Sequence, residues 1–412
     1  MTTTEMAPAD AVAPDSTDEP ALVAWLATMR AEHPVWRDRY GMYHVFRRQD
    51  VLTVLRDPAR FSSDKGRLAP ATASVSRGML TQIDPPEHRR LRSVVSTAFT
   101  PRRVADLEPR IREITRRLLD ALPDDRSFDL VDALAFPLPV TVIAEMLGLP
   151  EADHPLFRAW ADRLFSMQVD DPTDPALGER VAAAMADIAA YLTARVQERR
   201  AASTDDLVSA LVAAGLDDEE AANFSLLLLL AGHITTTVLL GNAVRTFAEH
   251  PGVWEGLRAD PTTIPAAVEE VLRLRSPFTA TARVTTEAVG IAGTTIPAER
   301  FVLAWMLSAN HDESAFADPE AFVPDRGIGG QRHGARGADA GGAAQTAFGH
   351  GVHFCLGAPL ARLEARVALE ELTTRYDALS PARDAMGDLQ PYPRGVLGVR
   401  RLPVKGVRSY TR

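Results

Sequence analysis

A single cysteine constrains this 412-residue chain more than any other feature: Cys355, in the run Phe348-Gly349-His350-Gly351-Val352-His353-Phe354-Cys355-Leu356-Gly357. A solitary thiol cannot close an intramolecular disulfide, nor supply the several ligands that zinc and iron–sulfur centres need. Two roles stay open on the residues alone. Cys355 is a small buried core side chain, or it is the one axial thiolate to the iron of a flat cofactor. The surroundings suit the second role, because glycines let the backbone turn tightly beneath a planar group and Phe348 and Phe354 can wall the sulfur from water. Leu356 to Glu364, with Pro359 near its start, reads as the opening of a helix. Cys355 is then expected at the positive end of that helix, where free N–H groups stabilise a thiolate.

Composition sets the frame. With 46% hydrophobic and 24% charged residues and no Gly/Ser or Pro-rich linker between residues 21 and 400, the sequence predicts a single domain over 21–412. Residues 1–20 lack Lys and Arg, carry Glu5, Asp10, Asp15, Asp18 and Glu19, and have no apolar signal-peptide core, so a disordered tail is expected. A net charge of −10 argues against nucleic acid or an anionic membrane as a partner. The apolar run Leu226 to Ala231 is far shorter than the roughly 18 to 20 residues of a membrane span. A cytoplasmic location follows, and one cysteine suits a reducing compartment.

Helix dominates the pattern. Helical periodicity covers about 21–31, 50–57, 101–122, 129–148, 152–168, 178–200 and 265–275, while 41–46 alternates like a strand and 278–297 reads as a small sheet. Asp84, Pro85 and Pro86 read as the cap and first turn of a helix carrying His88 and Arg92 on one face. The longest element opens at Asp217 with Glu220 as its capping-box partner and runs to Glu249, about 50 Å, long enough to cross the domain. Ser62 to Gln82 has little periodicity and is expected to be a substrate-binding loop. Gly327 to Gln345 is a Gly/Ala-rich tract whose low complexity predicts disorder.

The Phe-Gly-x-Gly-x-x-x-Cys-x-Gly run of 348–357 closely resembles the haem-binding loop of the cytochrome P450 family, and further motifs extend the resemblance over about residues 21–402. It implies a mainly α fold with a small β region, heme b as cofactor, and Cys355 as its iron ligand, with Phe348 and Gly357 completing the loop. The family's propionate-binding positions match His88, Arg92, Arg283 and His353, and such groups need cationic or N–H donors. Glu270, Arg273 and Arg326 match a structural charge triad. Ala231-Gly232-His233-Ile234-Thr235-Thr236 matches the oxygen-binding groove, in which Ala231 and Gly232 provide closeness and Thr235 a hydroxyl. The alternative for Thr235 is a back-bond to its own helix. At position 234 the family usually has an acid for proton delivery; here it is Ile234.

The resemblance implies a monooxygenase that inserts one oxygen atom from O2 into a small organic substrate, by hydroxylation or epoxidation in natural-product tailoring. A chain without a flavin or iron–sulfur motif must receive electrons from a ferredoxin and its reductase, and a monomer is expected. From His88 to Arg117 nine arginines face three acids, which reads either as a solvated amphipathic surface or as a dock for an acidic carrier. Ile234 leaves room for non-hydroxylating chemistry such as oxidative coupling, nitration or peroxide-driven oxidation. A haem-based ligand sensor is the other alternative.

Overall fold

The computed structural model describes residues 13–68, 77–122, 127–165, 175–326, 343–382, 389–392 and 395–408. Four stretches singled out in the sequence fall partly beyond these limits: 1–12 of the tail, 69–76 of the Ser62–Gln82 segment, 166–174, and 327–342 of the Gly/Ala tract.

The helix Asp218–Glu249, here the central helix, is the axis of the molecule. Its start is fixed by the expected capping box: Asp217 accepts the Glu220 N–H at 2.9 Å, and Glu220 accepts the Asp217 N–H at 3.4 Å. It is buried nearly all round from Ala221 to Leu229 because the helices Pro137–Leu147, Pro175–Ala201 and Ala358–Arg375 pack on different faces. It is apolar and long enough to cross a membrane, yet most of it is buried inside the fold. Its composition therefore reflects a core position.

The β structure is small and sits to one side. Its largest sheet orders Val35–Arg37, Tyr43–Val45, Phe301–Ala304, Thr281–Thr285 and Phe61–Ser62. The Tyr43–Val45 and Phe301–Ala304 pair is parallel and its neighbours are antiparallel. Arg283, whose backbone pairs with Val302, is 7% exposed. The chain is tied down from residue 18 onward: Asp18 caps the helix Glu19–Glu32, and Glu19 reaches Arg245 and Arg275 at 3.2 and 2.6 Å.

Several local expectations shift. Asp84 does not cap the helix Glu87–Val95; its carboxylate instead accepts the Ser63 N–H at 2.8 Å and the Ser62 hydroxyl, joining this helix to the sheet. The helical stretch at 101–122 is two helices, Pro101–Asp106 and Glu108–Asp120, since Pro109 lacks the N–H that would continue the first. Short helices at Leu207–Ala213 and Val253–Ala259 have too few turns to show a period in the sequence.

Candidate active site

Cys355 ends a loop whose shape is set by backbone. Gly349 and Gly351 both have φ of 72°, a region L side chains avoid, and a Cβ on Gly351 would lie 2.7 Å from the Leu55 carbonyl. The Cys355 N–H donates to Phe348 O at 2.9 Å, closing the loop on itself. Arg92 straps it from outside, donating to the carbonyls of Val352 and Phe354 at 3.0 and 2.7 Å. The helix Ala358–Arg375 follows, so the N–H groups of Gly357 and Ala358 point at the sulfur. Cys355 is exposed towards the cavity and Phe354 is 38% exposed, so the aromatics do not wall the sulfur off; the protein packed behind it still pushes the thiol pKa up, while those two N–H groups, Arg92 and Arg362 pull the other way. Phe348 and Phe354 flank the loop with ring centroids 6.3 Å apart, and the Arg362 guanidinium lies 4.5 Å over Phe348.

All ten residues singled out in the sequence line one cavity: Ala231, Gly232, Thr235, His88, Arg92, Arg283, Phe348, His353, Cys355 and Gly357. They arrive from four separate segments. The convergence is a product of the fold, since more than 260 positions separate His88 from Cys355 along the chain.

One wall of the cavity is cationic. The His88 ring is 1% exposed, neither of its nitrogens has a hydrogen-bond partner, and it meets the His353 ring at 4.3 Å. His353 contacts the Ser63 hydroxyl at 3.0 Å and lies 4.0 Å from Asp84. Burial pushes its pKa down to about 3, helped by Arg283. Arg283 donates only to Ala282 O and Thr281 Oγ1, at 2.8 and 3.2 Å, and burial lowers its pKa to about 10, with Asp84 opposing. Lys65 joins this wall, its pKa lowered by burial and by Arg283. Among the described residues Asp84 is the one carboxylate set against these basic side chains, so a bound dianion would be matched by Lys65 and Arg283 together with imidazole N–H donors. A propionate pair is such a dianion, and the orphaned His88 nitrogens are donors it could use. Among the described residues no three His, Cys, Asp or Glu side chains cluster to hold a bare metal ion. The donor set, one sulfur facing a cavity with a cationic rim, fits a haem whose iron is already held by its macrocycle.

The central helix forms the opposite wall. A Cβ on Gly232 would stand 3.2 Å from Ile143 Cγ1, so any larger residue there would press on that side chain. Thr235 faces the cavity, but its hydroxyl donates back to Ala231 O at 2.9 Å, the common arrangement for a threonine within a helix. Ile234 points away: it is 2% exposed and packs with Ala161, Val238, Tyr392 and Val396. The neighbouring His233 is fully buried, donates from Nδ1 to Leu229 O, and has its pKa pushed down to about 4 by burial.

Behind the cysteine loop, Glu270 and Arg273 are both 0% exposed and paired at 2.8 Å. Glu270 also receives Arg326 Nε at 3.0 Å and the Val323 N–H at 3.0 Å. Arg273 donates to the carbonyls of Asn310, Pro319 and Ala321. The group stitches irregular coil onto a helix and touches no cavity. Of the nine arginines at 89–117, Arg90, Arg110, Arg112, Arg116 and Arg117 are spent on acids of this chain. Arg89, Arg102 and Arg103 are exposed.

Lys65, Thr236 and Glu364 also line the cavity, though the sequence assigns none of them a role of its own. Lys65 lies inside the segment expected to bind substrate, and Thr236 closes the oxygen-groove motif. Glu364 reads in the sequence only as part of a helix opening, an acid nine residues after the cysteine; nothing in the spacing sets it apart from the other charged residues of that helix.

A family model described as Cytochrome P450 matches residues 33–399. The chain is 57% identical over 397 residues to the erythromycin C-12 hydroxylase of Saccharopolyspora erythraea, covering 95% of this chain and 96% of that protein. It is 39% identical over 403 residues to the cytochrome P450 monooxygenase PikC of Streptomyces venezuelae, covering 93% and 90%. It is 41% identical over 368 residues to the cyclomarin C epoxidase CymV of Salinispora arenicola, covering 87% and 90%. Among solved structures, a mutant of P450 EryK in complex with erythromycin B matches with a TM-score of 0.90 and 56% identity, over 97% of this chain and 99% of that one.

Proposed function

Since the chain belongs to the cytochrome P450 family and is a monooxygenase of that family, we propose that it hydroxylates an erythromycin-like macrolide as a late step in natural-product tailoring. The observation that carries this reading is 57% identity, across nearly the full length of both chains, with an erythromycin hydroxylase. The cavity supports it: beside the loop and the cationic wall it is lined by Phe99, Ile143, Phe224, Leu227, Leu228 and Leu239, an apolar surface for a large, mainly aliphatic ring.

Heme b would be the cofactor, its iron held by the Cys355 sulfur and its propionates by His88, Arg92, Arg283 and His353. When bound, it supplies oxygen-atom transfer, one atom of O2 going to the substrate and one to water. The residues of the chain do the rest. Phe348, Gly357 and the N–H groups after Cys355 fix the sulfur, while Ala231 and Gly232 keep the central helix close. Thr235 offers its oxygen as an acceptor to ordered water in the groove. The protein acts as a soluble cytoplasmic monomer, a single domain over residues 21–412, and takes electrons from a ferredoxin and its reductase. Exposed Arg89, Arg102 and Arg103 are what remains of the arginine-rich stretch for docking that acidic carrier.

Titrating the haem-loaded protein with erythromycin B and related macrolides, read by the shift of the haem absorption band, tests the substrate class. The expected result is a saturable shift and, with electrons supplied, a product heavier by one oxygen. No shift with any macrolide would overturn the assignment. Cys355→Ser tests the ligand: the thiolate signature of the reduced, carbon monoxide-bound protein should vanish. Its persistence would show that another residue binds the iron.

A further inference from the structure

Next to the cavity lies a buried polar chain that the reaction proposed above leaves without a role. Trp305 follows the strand Phe301–Ala304 directly, is 6% exposed, and precedes Met306, which lines the cavity. Its indole N–H donates to His44 Nδ1 at 3.0 Å, and His44 Nε2 lies 3.0 Å from Asp38 Oδ2. An indole N–H can only donate, so His44 Nδ1 is an acceptor and the ring proton sits on Nε2, donated to Asp38. Asp38 Oδ1 in turn accepts the N–H groups of Tyr40 and Met42, both at 2.9 Å. All three side chains are buried, so the relay from Trp305 through His44 to Asp38 has a fixed direction.

Packing alone asks for less. A buried indole needs one acceptor, and a backbone carbonyl serves: Trp254 donates to Tyr376 O at 3.1 Å. Of the five tryptophans, Trp305 is the one whose N–H meets, among the described residues, a side chain able to take a proton. It also has an aromatic path outward. The Trp25 ring lies 5.6 Å from that of Trp305, and Trp25 itself is only half-buried. Indole loses an electron more readily than most side chains, and the loss makes its N–H strongly acidic. A base already hydrogen-bonded to that proton eases the oxidation.

We propose that Trp305, with His44 and Asp38 as its proton acceptors, is a redox outlet that protects the cavity by a thiol-dependent reduction of peroxide. The proposal rests on the haem reading above and is independent of which substrate the protein oxidises. In each step one electron leaves Trp305 for the oxidised haem, the indole proton passes to His44 Nδ1, and the Nε2 proton passes to Asp38. A thiol at the surface returns an electron by way of Trp25, and the protons move back. Two such steps balance as one hydrogen peroxide and two thiols giving two waters and one disulfide. No bond of the protein is made or broken beyond these N–H and O–H exchanges.

The test mixes haem-loaded, substrate-free protein with hydrogen peroxide, freezes it rapidly and reads it by electron paramagnetic resonance. The parent should give an organic radical whose hyperfine pattern changes when its tryptophans are ring-deuterated, and Trp305→Phe should remove it. In peroxide, Trp305→Phe should also lose its haem absorption several-fold faster than the parent, and glutathione should protect the parent but not the variant. His44→Gln keeps an acceptor for the indole but cannot take its proton, so it should lower the radical yield. A parent that shows the thiolate signature but no tryptophan radical would overturn the proposal. So would a tryptophan radical that persists in Trp305→Phe, or equal bleaching of the two proteins. Should Trp305→Phe not retain haem, His44→Gln carries both readouts, and parental radical yield and bleaching in it would be equally fatal. A parent without the thiolate signature would instead overturn the haem reading, and this proposal with it.

Discussion

Individual side chains in this molecule matter most where burial leaves them no second partner. Glu270 and Arg273 show it: both are inaccessible to solvent, and Glu270 also holds Arg326 and the Val323 N–H. Removing one member strands the other charge in the core, a loss of about 3 to 5 kcal/mol. Glu270→Ala should therefore lower the urea midpoint and haem retention together, and a soluble, fully loaded variant with parental stability would refute a structural role. His233 works in the opposite sense. Folded, its pKa is about 4 against an ordinary 6.5. The unfolded chain takes up a proton that the folded chain does not, so stability is full above about 6.5 and is lost as pH falls toward 4. The loss is about 3 kcal/mol at about 1.4 kcal/mol per pH unit. In unfolding titrations, His233→Gln should flatten that part of the acid limb.

Between elements, one tight constraint is a contact between a glycine and a stiff side chain. A Cβ on Gly398 would lie 2.6 Å from Val238 Cγ1. Val238 is β-branched and mid-helix, so its χ1 has little freedom to yield. Gly398→Ala should push the strand Val399–Arg401 off the central helix and cost about 1 to 3 kcal/mol by overpacking. Adding Val238→Ala should recover part of that loss, and a thermodynamic cycle on the four proteins measures the coupling. At the start of the central helix, Asp217→Ala removes one half of the capping box. Its expected cost is about 1 kcal/mol in equilibrium unfolding.

Across the whole molecule, the site exists because two helices distant in sequence are held on opposite sides of one cavity. The central helix brings Ala231, Gly232, Thr235 and Thr236, the helix after Cys355 brings Glu364, and the sheet adds Arg283. Charge is distributed on the same plan. Most arginines between 89 and 117 are consumed by acids of this chain, which binds the helix Glu108–Asp120 to Ala358–Arg375 through Arg112 with Glu370 and Glu371. Reversing Arg112 to Glu should therefore destabilise the fold. Reversing exposed Arg102 and Arg103 together should spare stability and slow electron transfer from a ferredoxin, an effect that high salt would mask by screening.

The sequence by itself determined the chemistry that depends on residue type and short spacing. One cysteine between glycines and aromatics, a capping box at Asp217 and Glu220, and a Glu270 and Arg273 pair one helical turn apart are all local, and local patterns follow from backbone geometry. What lies far apart in the chain had to wait for packing. Asp84 reads as a helix cap but is drawn off by Ser62 and Ser63, because a side-chain acceptor goes to whichever donors the fold brings near. Thr235 was legible as a hydroxyl in a groove, while the direction of its hydrogen bond was not. Ile234 appeared only as an absence; the tertiary structure shows it filling an apolar contact with Tyr392 and Val396. Glu364 reads in the sequence only as part of a helix opening, and it is packing that leaves it 1% exposed against the cavity. Burial of that kind is a property of three-dimensional packing that no linear spacing encodes.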